Sequence, residues 1–162
     1  MTQVSLDDLD LRLLRLLQTD ASLTNVDLAK LAHASPPTCL RRVRRLRELG
    51  VIVREIAILD PLAFGPTLTA IIEITLDRQT AEDHAAFETY ICAEPAVTQC
   101  YRVSPGPDFV VIADLSDMDA YDALARRLFT HAANVRNVRT FFSTYRAKFE
   151  ANAPVPAAAR GA

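Results

Sequence analysis

Arginine side chains crowd one short stretch of the chain. Five of the seven residues from Arg41 to Arg47 are arginine, in the order RRVRRLR. A guanidinium group carries a permanent charge and a planar fork of N–H donors, which matches phosphate oxygens and the acceptor edge of guanine. Because the whole chain has a formal net charge of −2, positive charge is concentrated here rather than spread evenly. The stretch therefore indicates binding of an anionic partner.

The arginines belong to the last of three helices predicted near the N-terminus. A capping-box pattern of Ser5 and Asp8 predicts the start of the first helix, in which leucines recur at three- and four-residue spacing. Thr24 is the predicted cap of the second helix and Ser35 that of the third, which Gly50 ends. Two short helices joined by the turn HAS form a helix-turn-helix, so we expect the third helix to enter the major groove of double-stranded DNA.

A projection at about 100° per residue divides the third helix into two sides. The predicted inner side holds Cys39, Leu40, Val43 and Leu46, and the predicted outer pole holds Thr38, Arg41 and Arg45. Outer residues are expected to meet base edges, and the flanking arginines and the helix N-terminus to meet phosphates. The predicted DNA-binding residues are Ser35, Pro37, Thr38, Arg41, Arg42, Arg44 and Arg45. The alternative is a solvated surface whose arginines pair with Glu48 or Asp27.

The remaining chain predicts a second domain of mixed structure. The stretch VIVREIAIL reads as a strand that adds a wing and completes a DNA-binding domain over residues 1–58. Residues 59–66 hold two prolines and a glycine, which predicts a linker. Residues 67–149 follow the order βαββαβ, so the predicted fold class is α+β, a winged helix-turn-helix plus a ferredoxin-like domain. Residues 150–162 are predicted to be a disordered tail.

The predicted sheet has apolar side chains on both faces. One face packs against the two helices, which both lie on the same side of the sheet. Five further apolar residues fall on phases that crowd the other face: Ile71, Val110, Ile112, Phe141 and Tyr145. A crowded open face predicts that a second subunit covers it.

The chain resembles the Lrp/AsnC family of transcriptional regulators. The residues that carry the resemblance are LDDLDLRLLRLLQTDASLTNVDLAKLA, SPPTCLRRVRRLRELGVI, LDPLAFG and the βαββαβ half, together spanning roughly residues 6–148. The resemblance implies a regulator of transcription that binds DNA, forms homodimers through its sheet domain and assembles into an octamer or larger ring. It also implies a small-molecule effector, an amino acid bound between dimers, and no other cofactor.

The family usually has a Gly-Asp-x-Asp-Tyr stretch beside its effector site, where this chain has Pro105-Gly106-Pro107-Asp108-Phe109. Proline has no N–H, so the amides of Gly106 and Asp108 are left to hold a ligand carboxylate. The Asp108 carboxylate is then the expected partner of the ligand ammonium. The predicted effector-binding residues are Ser104, Gly106, Pro107 and Asp108. The alternative is that Asp108 caps the turn and binds no ligand.

Other functions find less support in the sequence. The three cysteines and three histidines are scattered, so no metal site and no catalytic residues are predicted, and the protein is not expected to be an enzyme. No apolar run is long enough for a membrane span and the acidic start is unlike a signal peptide, so the protein is expected to be cytoplasmic. Two alternatives remain: an architectural DNA-binding protein without an effector, and an enzyme of the sirohaem-decarboxylase type with His84 and His131 as its candidate residues.

Overall fold

The computed structural model describes residues 4–130 and 134–158. The chain divides into two compact units. The helical unit comprises residues 1–58 together with 148–162, and the sheet unit comprises residues 59–147. Within the described residues, no helix is both long and apolar enough to cross a membrane.

In its described residues, the helical unit contains three helices: α1 (Asp8–Thr19), α2 (Asn25–Ala32) and α3 (Pro36–Glu48). Their apolar faces meet in one core, which contains Leu13, Leu28, Ala29, Ala32, Cys39 and Val43. Side chains from all three helices are therefore removed from water together, which fixes the angle of α3 against the other two. The predicted helix-turn-helix is confirmed by α2, the turn and α3.

The caps of these helices follow the predicted pattern with one shift. Thr24 caps α2 as expected, its hydroxyl accepting the N–H of Asp27 at 3.2 Å. The cap of α1, however, is Asp7 rather than Ser5, because Asp7 and Asp10 satisfy each other's backbone N–H groups in a complete capping box. Gly50 follows α3 with φ of +68°, as the predicted left-handed ending requires.

His33 occupies the tight turn between α2 and α3 in the left-handed region, with φ of 53° and ψ of 49°. A residue with a Cβ atom is strained there, whereas glycine is not. We expect His33→Gly to raise the free energy of unfolding by about 0.5–1 kcal/mol, since the relief of strain exceeds the added flexibility of the unfolded chain. Urea unfolding followed by circular dichroism measures the change. His33→Ala is the matched control, because it removes the imidazole and keeps Cβ; equal stabilisation by both variants would contradict this explanation.

The predicted wing strand over residues 51–59 is wrong, because these described residues form neither strand nor α-helix. Val53, Ile56 and Ile58 are instead exposed, each by more than half of its surface. A strand needs a neighbouring strand to satisfy its backbone groups, and the described part of the helical unit consists of helices and irregular segments.

The described part of the predicted tail, residues 150–158, contains no helix or strand but is hydrogen-bonded to α1. Arg15 donates to the carbonyl oxygen of Ala157 at 2.7 Å, and Gln18 accepts the N–H of Ala153 at 3.1 Å. Long polar side chains on α1 thus satisfy the backbone of a segment that has little apolar surface of its own to bury. Residues 159–162 of the predicted tail lie outside the described residues.

The sheet unit has the predicted βαββαβ order. Its elements are β1 (Leu68–Leu76), α4 (Ala81–Cys92), β2 (Val97–Arg102), β3 (Phe109–Leu115), α5 (Met118–Ala125) and β4 (Val135–Phe142), with a short 3₁₀-helix at Pro61–Phe64 and a π-helical turn at Arg126–Thr130. The four strands form an antiparallel sheet in the order β2-β3-β1-β4. This order is that of a ferredoxin-like domain.

The two faces of the sheet differ in what covers them. On the inner face, buried strand residues such as Ile72 and Val111 pack with Phe87 and Ile91 of α4 and with Leu124 of α5. The outer face presents the apolar row Ile112, Ile71 and Phe141, which are neighbours in the strand register. Tyr145, which the sequence placed on this face, lies beyond the end of β4 at Phe142.

Candidate nucleic-acid interface and effector site

The buried face of α3 is set by contacts with the other two helices. Cys39, Val43 and Leu46 are at most 6% exposed. Burial raises the pKa of the Cys39 thiol, as expected of a packed, unreactive cysteine. Leu40, which the sequence placed on this side, is 60% exposed, so that part of the prediction is wrong.

Two of the predicted DNA-binding arginines face acidic residues at the start of α1. Arg42 lies 2.7 Å from Asp7 and 3.2 Å from Asp10, and Arg45 lies 3.2 Å from Asp10. Arg45 also donates to the carbonyl of Ser5 at 3.2 Å. These bonds hold both guanidinium groups toward α1. Arg45 therefore does not occupy the exposed pole that the sequence predicted for it.

Asp10 is the centre of this cluster, with only 1% of its surface exposed. Its neighbour Asp7 is half exposed, and the N–H of Asp10, followed by the charge of Arg42, lowers the pKa of the Asp7 carboxyl against the opposing effect of burial. Asp7 is thus suited to remain ionised beside Arg42. The sequence interpretation missed this role; the available signal was a pair of aspartates three residues apart in a helix that must pack against the arginine-bearing helix.

The remaining surface of α3 is open. Pro37, Leu40, Arg41 and Arg44 are exposed and follow one another at helical spacing, and we name these four residues the recognition face. Arg44 pairs with Glu48 at 2.8 Å, but both side chains are largely exposed, so this pair is weak and easily exchanged. Among the described residues, Arg41 has no ion-pair partner. The alternative in which an arginine pairs with Glu48 at the surface thus applies to Arg44. Arg41 remains available to bind a ligand.

The N-terminus of α3 carries the other predicted contacts. Ser35 is the N-cap residue, yet its hydroxyl bonds to the hydroxyl of Thr38 at 2.8 Å instead of capping the helix backbone. Pro36 and Pro37 have no N–H, so Thr38 supplies the first backbone N–H that an anion can meet at this helix end.

The predicted effector loop joins β2 to β3, and the structure assigns its aspartate to internal bonds. The N–H of Asp108 donates to the carbonyl of Ile74 at 2.9 Å, so it is already used. The Asp108 carboxylate accepts from the N–H of Leu76 at 2.7 Å and from Gln79 at 3.0 Å, and it lies 3.3 Å from the His84 ring. The structure therefore supports the alternative in which Asp108 anchors the turn.

The other predicted effector residues remain at the surface of this loop. Ser104 and Gly106 are exposed, Gly106 with φ of +127°, and Pro107 is half-buried. The Asp108 amide was predicted to hold a ligand carboxylate, and this is wrong because its N–H already donates to Ile74. Of the two predicted amides, Gly106 remains as a candidate donor to the ligand. His84 joins this site from α4 although its position in the sequence gave no sign of it, and His131 lies outside the described residues. The described residues hold no cluster of three potential metal ligands.

The ionisation of Asp108 stabilises the sheet unit. Partial burial opposes the charge, but the bonds from Leu76, His84 and Gln79 outweigh it and hold the pKa of Asp108 below its usual value. We expect Asp108→Asn to lower the free energy of unfolding by about 2 kcal/mol at neutral pH. Because the pKa is lower in the folded state, this advantage of the wild type is complete above pH of about 4 and is lost as pH falls through the lowered pKa.

Urea unfolding of both proteins at a series of pH values measures this difference. Asp122→Asn, which alters an exposed aspartate 3.8 Å from Arg126, is the matched control and is expected to change little. A difference between wild type and Asp108→Asn that stayed constant through the acidic range would show that the charge of Asp108 is not responsible.

Known protein families match parts of both units. Residues 6–53 match the winged helix-turn-helix DNA-binding family, and residues 69–152 match the Lrp/AsnC ligand binding domain. The leucine-responsive regulatory protein of Rhizobium meliloti is 34% identical, over 91% of this chain and 95% of its own. An AsnC family transcriptional regulator from Agrobacterium tumefaciens has a similar structure, with a TM-score of 0.85 and 32% identity over 92% of this chain and 97% of its own.

A second solved structure is that of a transcriptional regulator from Neisseria meningitidis in complex with L-methionine. It is 26% identical, with a TM-score of 0.85, over 93% of this chain and 97% of its own. A helix-turn-helix with an exposed arginine surface, joined to a ligand-binding domain, defines a DNA-binding transcriptional regulator. The chain belongs to the Lrp/AsnC family, as its sequence predicted.

Proposed function

We propose that this regulator works in the cytoplasm and reads double-stranded DNA by placing the recognition face of α3 in the major groove. The observation that carries the proposal is the position of Arg41, which is exposed on the second helix of the motif and has no ion-pair partner among the described residues. An arginine so placed is suited to bond O6 and N7 of a guanine. Arg44 can exchange its exposed pair with Glu48 for a base or a phosphate.

The other predicted residues then have positioning roles. Ser35 and Thr38 present hydroxyl groups at the start of α3, beside Pro37. A phosphate bound there is stabilised by the positive end of the helix dipole. Arg42 and Arg45 orient α3 through Asp10 and add positive potential near the phosphates. A dimer that neutralises about six to ten phosphates loses roughly 10³- to 10⁵-fold in affinity between 50 and 200 mM salt.

The proposed homodimer forms through the outer face of the sheet. Ile71, Ile112 and Phe141 lie side by side there, and Phe141 is 46% exposed. Tyr101 extends the apolar surface beside Val110 and is 53% exposed. A contiguous apolar surface of this kind is typical of an interface, and an identical copy supplies a complementary one by two-fold symmetry. Further assembly of dimers into an octamer or larger ring is part of the same proposal.

The proposed effector is an amino acid or a related small molecule bound where dimers meet. The Neisseria relative that was solved with L-methionine supports this choice. In this chain the turn from Ser104 to Pro107 borders the proposed effector site, and the N–H of Gly106 is the candidate donor to the effector. Asp108 holds this turn in place.

Size-exclusion chromatography with light scattering, run with and without each common amino acid, tests the assembly and the effector together. The expected result is a multiple of a dimer whose size or DNA affinity changes with one or a few amino acids. A monomer would overturn the proposed interface, and an assembly whose size and DNA affinity respond to none of them would overturn the amino-acid effector.

The internal use of Asp108 favours one alternative function specifically. Its N–H and carboxylate are both occupied, and two prolines of the same loop have no N–H, so few groups remain to hold an amino acid. The alternative is an architectural protein that binds DNA without an effector. Binding to unrelated DNA sequences with equal affinity would favour it over a specific regulator.

A further inference from the structure

Leu40 is an exposed leucine at a position where the fold does not require one. It lies in the first half of α3 with 60% of its surface open, while Cys39, Val43 and Leu46 supply the buried side of the helix. Its exposure follows from the packing of α3 against α1, which directs Arg42 rather than Leu40 toward the neighbouring helix. Removing its side chain therefore leaves the helical core intact.

The surroundings of Leu40 identify the kind of group that it can contact. Arg41 and Arg44 are exposed on the same surface of α3, one and four residues further along, and Pro37 precedes Leu40 by one turn. A leucine beside two exposed cations needs a partner that is apolar where it meets the leucine and anionic around that point. The C5 methyl group of thymine meets this requirement, since it projects into the major groove between phosphate backbones.

We propose that Leu40 contacts a thymine methyl group and thereby specifies an A·T pair beside the base pair read by Arg41. This inference rests on the proposed placement of α3 in the major groove. It adds a specificity-determining residue that the sequence had assigned to the protein interior. Arginine contacts select guanine, so a leucine beside them gives each half-site a mixed sequence rather than a purely G·C one.

Deoxyuridine substitution of the binding site tests the contact, because uracil differs from thymine in this position only by the missing methyl group. A duplex site is first selected from random DNA with the wild-type protein. Each thymine is then replaced singly by deoxyuridine, and binding is measured by fluorescence anisotropy for the wild type, Leu40→Ala and Leu49→Ala. Leu49→Ala is the matched control, since Leu49 is 44% exposed immediately after α3.

The wild type is expected to lose about fourfold in affinity at one thymine of each half-site, as for one buried methyl group. Leu49→Ala should show the same loss, whereas Leu40→Ala should bind the thymine and uracil duplexes equally. If every thymine position gave the same ratio for wild type and Leu40→Ala, the proposed contact would be overturned, even with specific binding intact. If selection yielded no preferred site at all, the proposed function would fail instead.

Discussion

Asp10→Asn is expected to lower the free energy of unfolding of the helical unit by about 3 kcal/mol, the lower end of the range for breaking a buried ion pair. The carboxylate is buried and lies 3.2 Å from both Arg42 and Arg45, so its loss leaves two guanidinium groups with less compensation. The value is at the lower end because both arginines keep contact with water. Urea unfolding by circular dichroism gives the total, and hydrogen exchange of α1 and α3 locates it.

Glu48→Gln is the matched control for this change. It also neutralises an acid that pairs with an arginine of α3, but here both side chains are largely exposed. The expected loss is at most about 0.5 kcal/mol. If Asp10→Asn cost no more than Glu48→Gln, the account of α3 as a helix fixed by a buried carboxylate would be contradicted.

Arg41→Ala is expected to weaken binding to the selected DNA site by about 1–3 kcal/mol per half-site, or roughly five- to 150-fold, and to relax the preference for guanine at one position. The physical reason is that Arg41 has its guanidinium free for a bidentate bond, which alanine cannot replace. Because Arg41 has no ion-pair partner among the described residues, its removal should leave the free energy of unfolding almost unchanged. Fluorescence anisotropy on the selected site and on a variant site, together with urea unfolding, measures both effects.

Arg126→Ala provides the comparison, since it removes the same charge from an exposed position in the sheet unit. It is expected to change affinity for DNA slightly and equally at all sites. If Arg41→Ala behaved in the same uniform way, Arg41 would contact phosphate only, and the bidentate reading of guanine would be wrong.

Local sequence patterns predicted much of the fold because the relevant signals lie within a few residues. The predicted roles of Thr24 and Gly50 at the helix ends each depend on nearby residues, and the structure agrees with both. A local pattern was not enough to predict whether the wing strand forms. Its residues alternate suitably, but a strand also needs a partner strand, which a local pattern does not reveal.

The side-chain roles depended on contacts between distant residues, and here the sequence was less informative. A helical projection centred the buried face of α3 between Cys39 and Leu40. In the structure α3 packs against the acids of α1, so the centre of its buried face lies closer to Arg42 than the projection predicted. Leu40 is therefore exposed, and Arg45 does not lie at the outer pole. Asp108 is a similar case, since its partners at the end of β1 are more than thirty residues away in the chain.

Selection of bound fragments from genomic DNA, followed by sequencing, tests the central claim most directly, because it asks whether the protein chooses its sites. The wild type is expected to enrich fragments that share a two-fold symmetric motif, with half-sites about one helical turn apart or a multiple of it. The same motif should disappear with Arg41→Ala. Enrichment of fragments without a common motif, or a motif unaffected by Arg41→Ala, would contradict recognition by α3.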